Sequence, residues 1–132
     1  MRKLAFSLLL LTNLAATHVC AAPLRKNIPF VPRQETFAVN VAKLILFINA
    51  NGYQVTLGET IRSRAEAESY AKKGIGIRDS NHIYRLAIDL NLFKDGKYLT
   101  HEKDYKFAGV YWQSLNKHNE WHRADSNHFE MD

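Results

Sequence analysis

A chain of 132 residues has room for one domain and a modest core. Its 18 Lys and Arg against 13 Asp and Glu leave a net charge of +5, but no basic run and no interleaving of bases with aromatics marks it for nucleic acid. A single cysteine, Cys20, excludes a disulfide framework.

Arg2 and Lys3 precede the apolar run LAFSLLLLTNLAA, and small residues follow at Ala21 and Ala22. This charged, apolar, small-residue order is that of an export signal. Cleavage after Ala21 divides the chain into a signal peptide, 1–21, an extended leader, 22–33, and a folded domain, 34–132. The alternative is a membrane anchor through residues 4–16, although the run is short for a full span. Thr17, His18 and Val19 make a poor lipidation signal ahead of Cys20. Removing Arg2 and Lys3 lowers the charge from +5 by two, to +3. A mild positive charge helps an exported protein approach an anionic wall or membrane surface. The expectation is therefore a protein of the periplasm or exterior, with no stable membrane span after processing.

Pro23, Pro29 and Pro32 give the leader its extended character. Phe37, Val41, Leu44 and Ile48 then recur at helical spacing, and Asn51-Gly52 is the stop signal. YQVTLG is a short strand ending at Gly58. Ser63 and Glu66 form a capping box at the start of a second helix, with Lys72 and Lys73 in its last turn and Gly74 beyond. GIGIRDSN reads as a loop and RLAIDLNLF as a strand. Asp95-Gly96 is a hairpin turn, after which KYL pairs back. Thr100 is the expected cap of a third helix, with Tyr105, Ala108, Trp112 and Leu115 on its apolar face. EWH and NHFE can each extend as short strands. The pattern predicts an α+β single domain, a small antiparallel sheet with packed helices.

One residue breaks the pattern. Asp89 lies in the middle of an apolar strand, where a carboxylate is costly unless paired or bound to a metal. His82 lies seven positions earlier, and near the end of the sequence His128 follows Asp125 by three. Two imidazoles and a carboxylate suit zinc, and a fourth position left open is the arrangement of a catalytic site. Seven positions along a flat strand would point to opposite faces, so His82 must sit on a curl before the strand. Asp89 then shares a face with Arg85, Ala87 and Asn91. On spacing alone the alternatives stay open: a surface His82, an Asp89 paired with Arg85, and an ordinary loop Asp125.

SNHIYRLAIDLNLF, followed by DGKYLT, the YKFAGVYWQSL helix and DSNHFE, resembles the D-alanyl-D-alanine carboxypeptidase and L-alanyl-D-glutamate endopeptidase superfamily. That superfamily includes VanY-type enzymes and many phage endolysins. Its pattern of Ser-x-His, Ala-x-Asp and an acidic residue three before a final His is met by Ser80, His82, Ala87, Asp89, Asp125 and His128. TLGETIRS is similar to the family's upstream segment, whose arginine faces the substrate; here that is Arg62. The likeness covers roughly Gln34 to Glu130. It departs at Arg85, where the family commonly has Gly, and at His122-Arg123-Ala124 after Trp121, where endolysins carry a Trp-Gly-Gly stretch.

The resemblance implies a Hedgehog/D-Ala-D-Ala peptidase-like fold and a monomeric zinc peptidase that acts on peptidoglycan stem peptides. It implies one zinc per chain on His82, Asp89 and His128, with Asp125 as the base that activates water. Glu120 and Glu130 are the next candidates for that base. Arg62 and Ser80 would contact substrate, Ser80 alternatively orienting the His82 loop, while Arg85 and His122 receive no role. L-alanyl-D-glutamate endopeptidase activity is the leading expectation. The alternatives are a D,D-carboxypeptidase and a non-catalytic wall-binding module.

Overall fold

The structure is a computed structural model that describes residues 31–132. The export signal, Cys20, Pro23 and Pro29 lie outside the described residues. No helix among the described residues is long and apolar enough to cross a membrane.

Helix α1 (Val31–Ala50) begins earlier than the prolines suggest. The extended leader thus gives way at Val31–Arg33: Pro32 sits in the first turn, where a missing N–H costs nothing. Phe37, Leu44 and Ile48 are buried, as their spacing predicts. Asn51 closes the helix by donating from its side chain to the Phe47 carbonyl at 2.8 Å. Strand β1 (Gln54–Leu57) follows. Helix α2 (Arg64–Lys72) opens on the expected capping box. The Glu66 N–H donates to Ser63 Oγ at 3.1 Å and the Ser63 N–H to Glu66 Oε2 at 2.9 Å.

Strand β2 (Ala87–Lys94) is the spine of the sheet. Along its second half it pairs antiparallel with β1 and with β3 (Lys97–Leu99). Along its first half it pairs with β5 (His128–Met131), which in turn pairs with β4 (Asn119–Trp121). Helix α3 (Glu102–Leu115) lies between β3 and β4 in sequence. The predicted cap at Thr100 is displaced by one residue: His101 holds the cap position, with no side-chain bond to the helix. The β2–β3 turn holds Asp95 at φ 52° and Gly96 at φ 72°. Two positive φ values in succession match the right-handed twist of a hairpin.

Strand periodicity divides the sheet into two faces. Ile88, Leu90, Leu92, Phe129 and Met131 are buried, in one core with α1 and α3. Trp112 of α3 stands edge-on to Phe37 and Phe129. Its buried Nε1–H is shared between the carbonyls of Glu120 and Glu130, each at 3.0 Å, which ties α3 to β4 and β5. The alternate residues Asp89, His128 and Glu130 take the opposite face.

Arg85 does not share that face. It stands before β2, exposed, in the left-handed region at φ 56°. The expected common face of Asp89 and Arg85 is therefore corrected, because the turn carrying His82 ends at Arg85 and strand geometry starts only at Ala87. A left-handed backbone is where glycine is most at ease, and here an arginine adopts it.

Candidate metal centre

Three local structures bring the site together. The first is a short 3-10 turn, Asn81–Tyr84, which is the curl the spacing required of His82. Ser80 caps it: its Oγ accepts from the His82 N–H at 3.4 Å, and its carbonyl accepts from the Ile83 N–H at 3.0 Å. The His82 carbonyl accepts from the Arg62 N–H at 3.3 Å, so the turn is pinned to the segment before α2. His82 itself is only 1% exposed.

The second is the close approach of Gly58 to β2. The Gly58 N–H donates to the Asp89 carbonyl at 2.8 Å, and the Asp89 N–H to the Glu59 carbonyl at 2.9 Å. A Cβ at Gly58 would lie 3.0 Å from Asp89 Cβ and 3.2 Å from its carbonyl oxygen. Glycine is therefore what lets the chain pass Asp89. The third is the β2–β5 register, which sets Asp89 directly opposite His128.

The result is a triangle of donors. Asp89 Oδ1 lies 3.0 Å from His128 Nδ1 and 3.3 Å from His82 Nε2, and the two imidazole nitrogens are 3.2 Å apart. Tetrahedral zinc with bonds of 2.0–2.1 Å separates its ligand atoms by about 3.3 Å. The donor set, two imidazoles and a carboxylate aimed at one point with this spacing, thus fits zinc. His82 Nδ1 is buried and has no hydrogen-bond partner among the described residues. Its proton stays on Nδ1 when Nε2 faces the ion.

The electrostatics follow from the same contacts. Burial works against the charge on Asp89, but the bonds from His128 and His82 outweigh it and hold the carboxyl at about 2. Burial likewise opposes a charged His128, and the carboxylates of Asp89 and Glu130 overcome it, pushing the imidazole up to about 9. Glu130 is held at about 2, first by its bond with His128. Two carboxylates flank one imidazole, so loss of the His128 proton leaves a negative pair on either side of it, the setting in which a cation is favoured.

The triangle lies in a cavity of about 340 Å³ that also reaches Arg62, Ser80, His122 and Asp125. Larger hollows beside α1, of about 580 and 490 Å³, hold no convergent group of metal-ligand side chains among the described residues. Asp125 ends a short turn, Arg123–Asp125, and is exposed. It lines the cavity without joining the ligand triangle. Arg62 is held firmly. Its Nε and Nη2 donate to Glu59 at 2.7 and 2.5 Å, and its Nη1 to Ser80 Oγ at 3.2 Å. The bond with Glu59 also raises its already high pKa.

Glu130 has a contact that sequence reasoning did not assign. Its Oε2 lies 3.2 Å from His128 Nε2 and accepts from Asn81 Nδ2 at 3.0 Å. Its Oε1 lies 3.4 Å from His122 Nε2, which is itself 3.3 Å from Glu120 Oε2. The available signal was His128-x-Glu130 on one strand, since positions two apart share a face.

No protein-family model matches the chain, and no curated protein matches it significantly. Among solved structures, the chain is similar to the crystal structure of the L-Ala D-Glu endopeptidase ChiX of Serratia marcescens. The TM-score is 0.57 at 17% identity, over 76% of this chain and 79% of that one. The α+β architecture described above, a small antiparallel sheet with packed helices, is therefore one that this chain shares with that endopeptidase.

Proposed function

We propose that the protein is a zinc-dependent peptidase that cuts stem peptides of peptidoglycan, with the bond between L-alanine and D-glutamate as its target. The observation that carries this reading is the convergence of His82, Asp89 and His128 on one point, with Asp125 lining the same cavity. The shared fold supports it, because the similar structure is that of an L-Ala D-Glu endopeptidase.

His82 Nε2, Asp89 Oδ1 and His128 Nδ1 would hold the zinc. Bound zinc supplies Lewis acidity, which eases deprotonation of water and polarises a carbonyl. Asp125 takes the proton from the attacking water and returns it to the leaving amine nitrogen. Arg62 presents a fixed guanidinium, and its Nη1 edge suits a substrate carboxylate or the developing oxyanion. Glu59 stops the arginine from swinging away, and Ser80 links it to the His82 turn. Ile75 and Ile77, both exposed, give the cavity an apolar edge suited to an alanyl methyl group. The protein acts as a monomer outside the cytoplasm, reaching the wall through the export signal at 1–21.

The test is mass spectrometry of products from defined muropeptides, with zinc and with a chelator. Zinc-dependent appearance of peptides that begin with D-glutamate is expected. Loss of terminal D-alanine alone makes the enzyme a D,D-carboxypeptidase. No hydrolysis by protein that has bound zinc favours a wall-binding module and refutes the catalytic reading.

A further inference from the structure

We propose that Glu130 is the positioning residue of the metal centre. Its Oε2, 3.2 Å from His128 Nε2, keeps a proton on that nitrogen, so that Nδ1, which faces Asp89 and His82, is the nitrogen that gives up its proton to a metal. The inference rests on the zinc reading above and adds a residue to it.

A histidine offers a metal only the nitrogen that lacks a proton, and the partner of the other nitrogen decides which one that is. An imidazole with no partner at Nε2 could carry its proton on Nδ1 and turn that atom toward Asp89 as a donor. Such a ring would not be a ligand until it lost or moved the proton. Glu130 opposes that arrangement from the correct side. Strand geometry places it two residues beyond His128 on the same face, with a side chain 17% exposed.

The carboxylate is itself oriented. Asn81 Nδ2 donates to the same Oε2 at 3.0 Å, and Asn81 begins the turn that carries His82. A displacement of that turn therefore reaches His128 through Glu130 as well as through Asp89. His122 Nε2, 3.4 Å from Oε1, restrains the other oxygen from the solvent side. The His82 turn and the His128 strand are thus connected through groups that are not ligands.

An alternative use of Glu130 is visible in the same geometry. Glu120, His122 and Glu130 also bring three ligand-type atoms together. Against a second ion there, Glu130 Oε2 is already engaged by His128 and Asn81, and the His122 side chain is 58% exposed.

Zinc binding by competition with a chromogenic chelator tests the proposal without reference to hydrolysis. The unmutated protein should take up one equivalent. Glu130→Ala should bind it roughly 10–100-fold more weakly, while Glu130→Gln, whose amide oxygen can still accept from Nε2, should recover part of the loss. Affinity within twofold of the unmutated protein for Glu130→Ala overturns the proposal. Two bound equivalents, one of them lost in His122→Ala, make Glu130 a ligand of a second ion and overturn it as well. An unmutated protein that is folded and takes up no zinc sinks the metal reading itself, and this inference with it. Should Glu130→Ala fail to fold, nuclear magnetic resonance of the zinc-loaded unmutated protein decides. A His128 Nε2 proton protected from solvent exchange supports the assignment, and one that exchanges freely defeats it.

Discussion

Asp125 and Asp89 are both carboxylates of one cavity, yet their surroundings separate their roles. Asp89 accepts from two imidazoles and stays ionised down to about pH 2, which suits a ligand and disqualifies it as a proton carrier near neutrality. Asp125 stands outside the triangle, on an exposed turn at the cavity rim. Asp125→Asn should therefore keep zinc and the fold while lowering the hydrolytic rate at least about a hundredfold. Asp89→Ala should lose zinc and activity together. Metal analysis beside turnover of a muropeptide separates the two. An Asp125→Asn protein that keeps most of the rate moves the base to another carboxylate. The same contrast explains what the sequence could disclose. An acid in an apolar strand is conspicuous, so Asp89 stood out and drew His82 and His128 with it. Glu130 drew only a reserve role as a candidate base and no link to His128, because an acid at the edge of a short polar segment looks ordinary until its register places it behind His128. The grip of Glu59 on Arg62 was equally hidden, since three residues of separation outside a helix prescribe no contact.

At the level of elements, periodicity made the two faces of β2, the capping box of α2 and the Asp95-Gly96 hairpin readable, because each depends on near neighbours in sequence. The cap of α3 misled by one position, since Thr100 and His101 can both adopt an extended backbone and no side-chain bond selects between them. The insertion of β5 between β2 and β4 was not readable at all. It depends on pairings between distant segments that leave no local signature. The α3–β4 contact contains a further long-range demand. Gly109 lies in the middle of α3, where glycine ordinarily weakens a helix. A Cβ there would meet the Trp121 ring at 2.1–2.6 Å. Trp121 is buried and its Nε1 donates to the Ser126 carbonyl at 2.7 Å, so it cannot simply swing aside. Gly109→Ala should therefore destabilise the fold by about 1–3 kcal/mol or more, despite the better helix propensity of alanine. Chemical denaturation measures this. An unchanged or raised midpoint would mean that α3 and β4 can separate at little cost.

For the molecule as a whole, the charges of the site link stability to pH. His128 has a folded pKa of about 9, above its ordinary 6.5. Its stabilising contribution is complete below pH 6.5 and is lost as pH rises through about 9. Asp89 and Glu130 lie at about 2, below their ordinary 3.8 and 4.5. Their contributions are complete above those ordinary values and are lost as pH falls through about 2. Metal-free protein should therefore be most stable between about pH 5 and 6.5, melting several degrees lower by pH 9. Zinc competes with the His128 proton, so its affinity should rise over the same interval. Melting temperatures with and without zinc should diverge steadily from pH 6.5 to 9. Parallel curves would argue that the ion does not engage His128.

The pairing of Asp89 with His128 joins positions 39 residues apart. No local loop can gather the three donors ahead of the fold, in contrast to compact zinc modules whose ligands sit close together in sequence. Closing that long segment is an entropic cost the chain must meet before the ion has anything to grip. Zinc should accordingly leave the refolding rate almost unchanged and act on the opposite limb, slowing escape from the native state. Stopped-flow refolding and unfolding, each with and without zinc, would reveal the asymmetry. Refolding accelerated tenfold by zinc would place β2 and β5 together in the transition state, with the ion a nucleator rather than a late clasp.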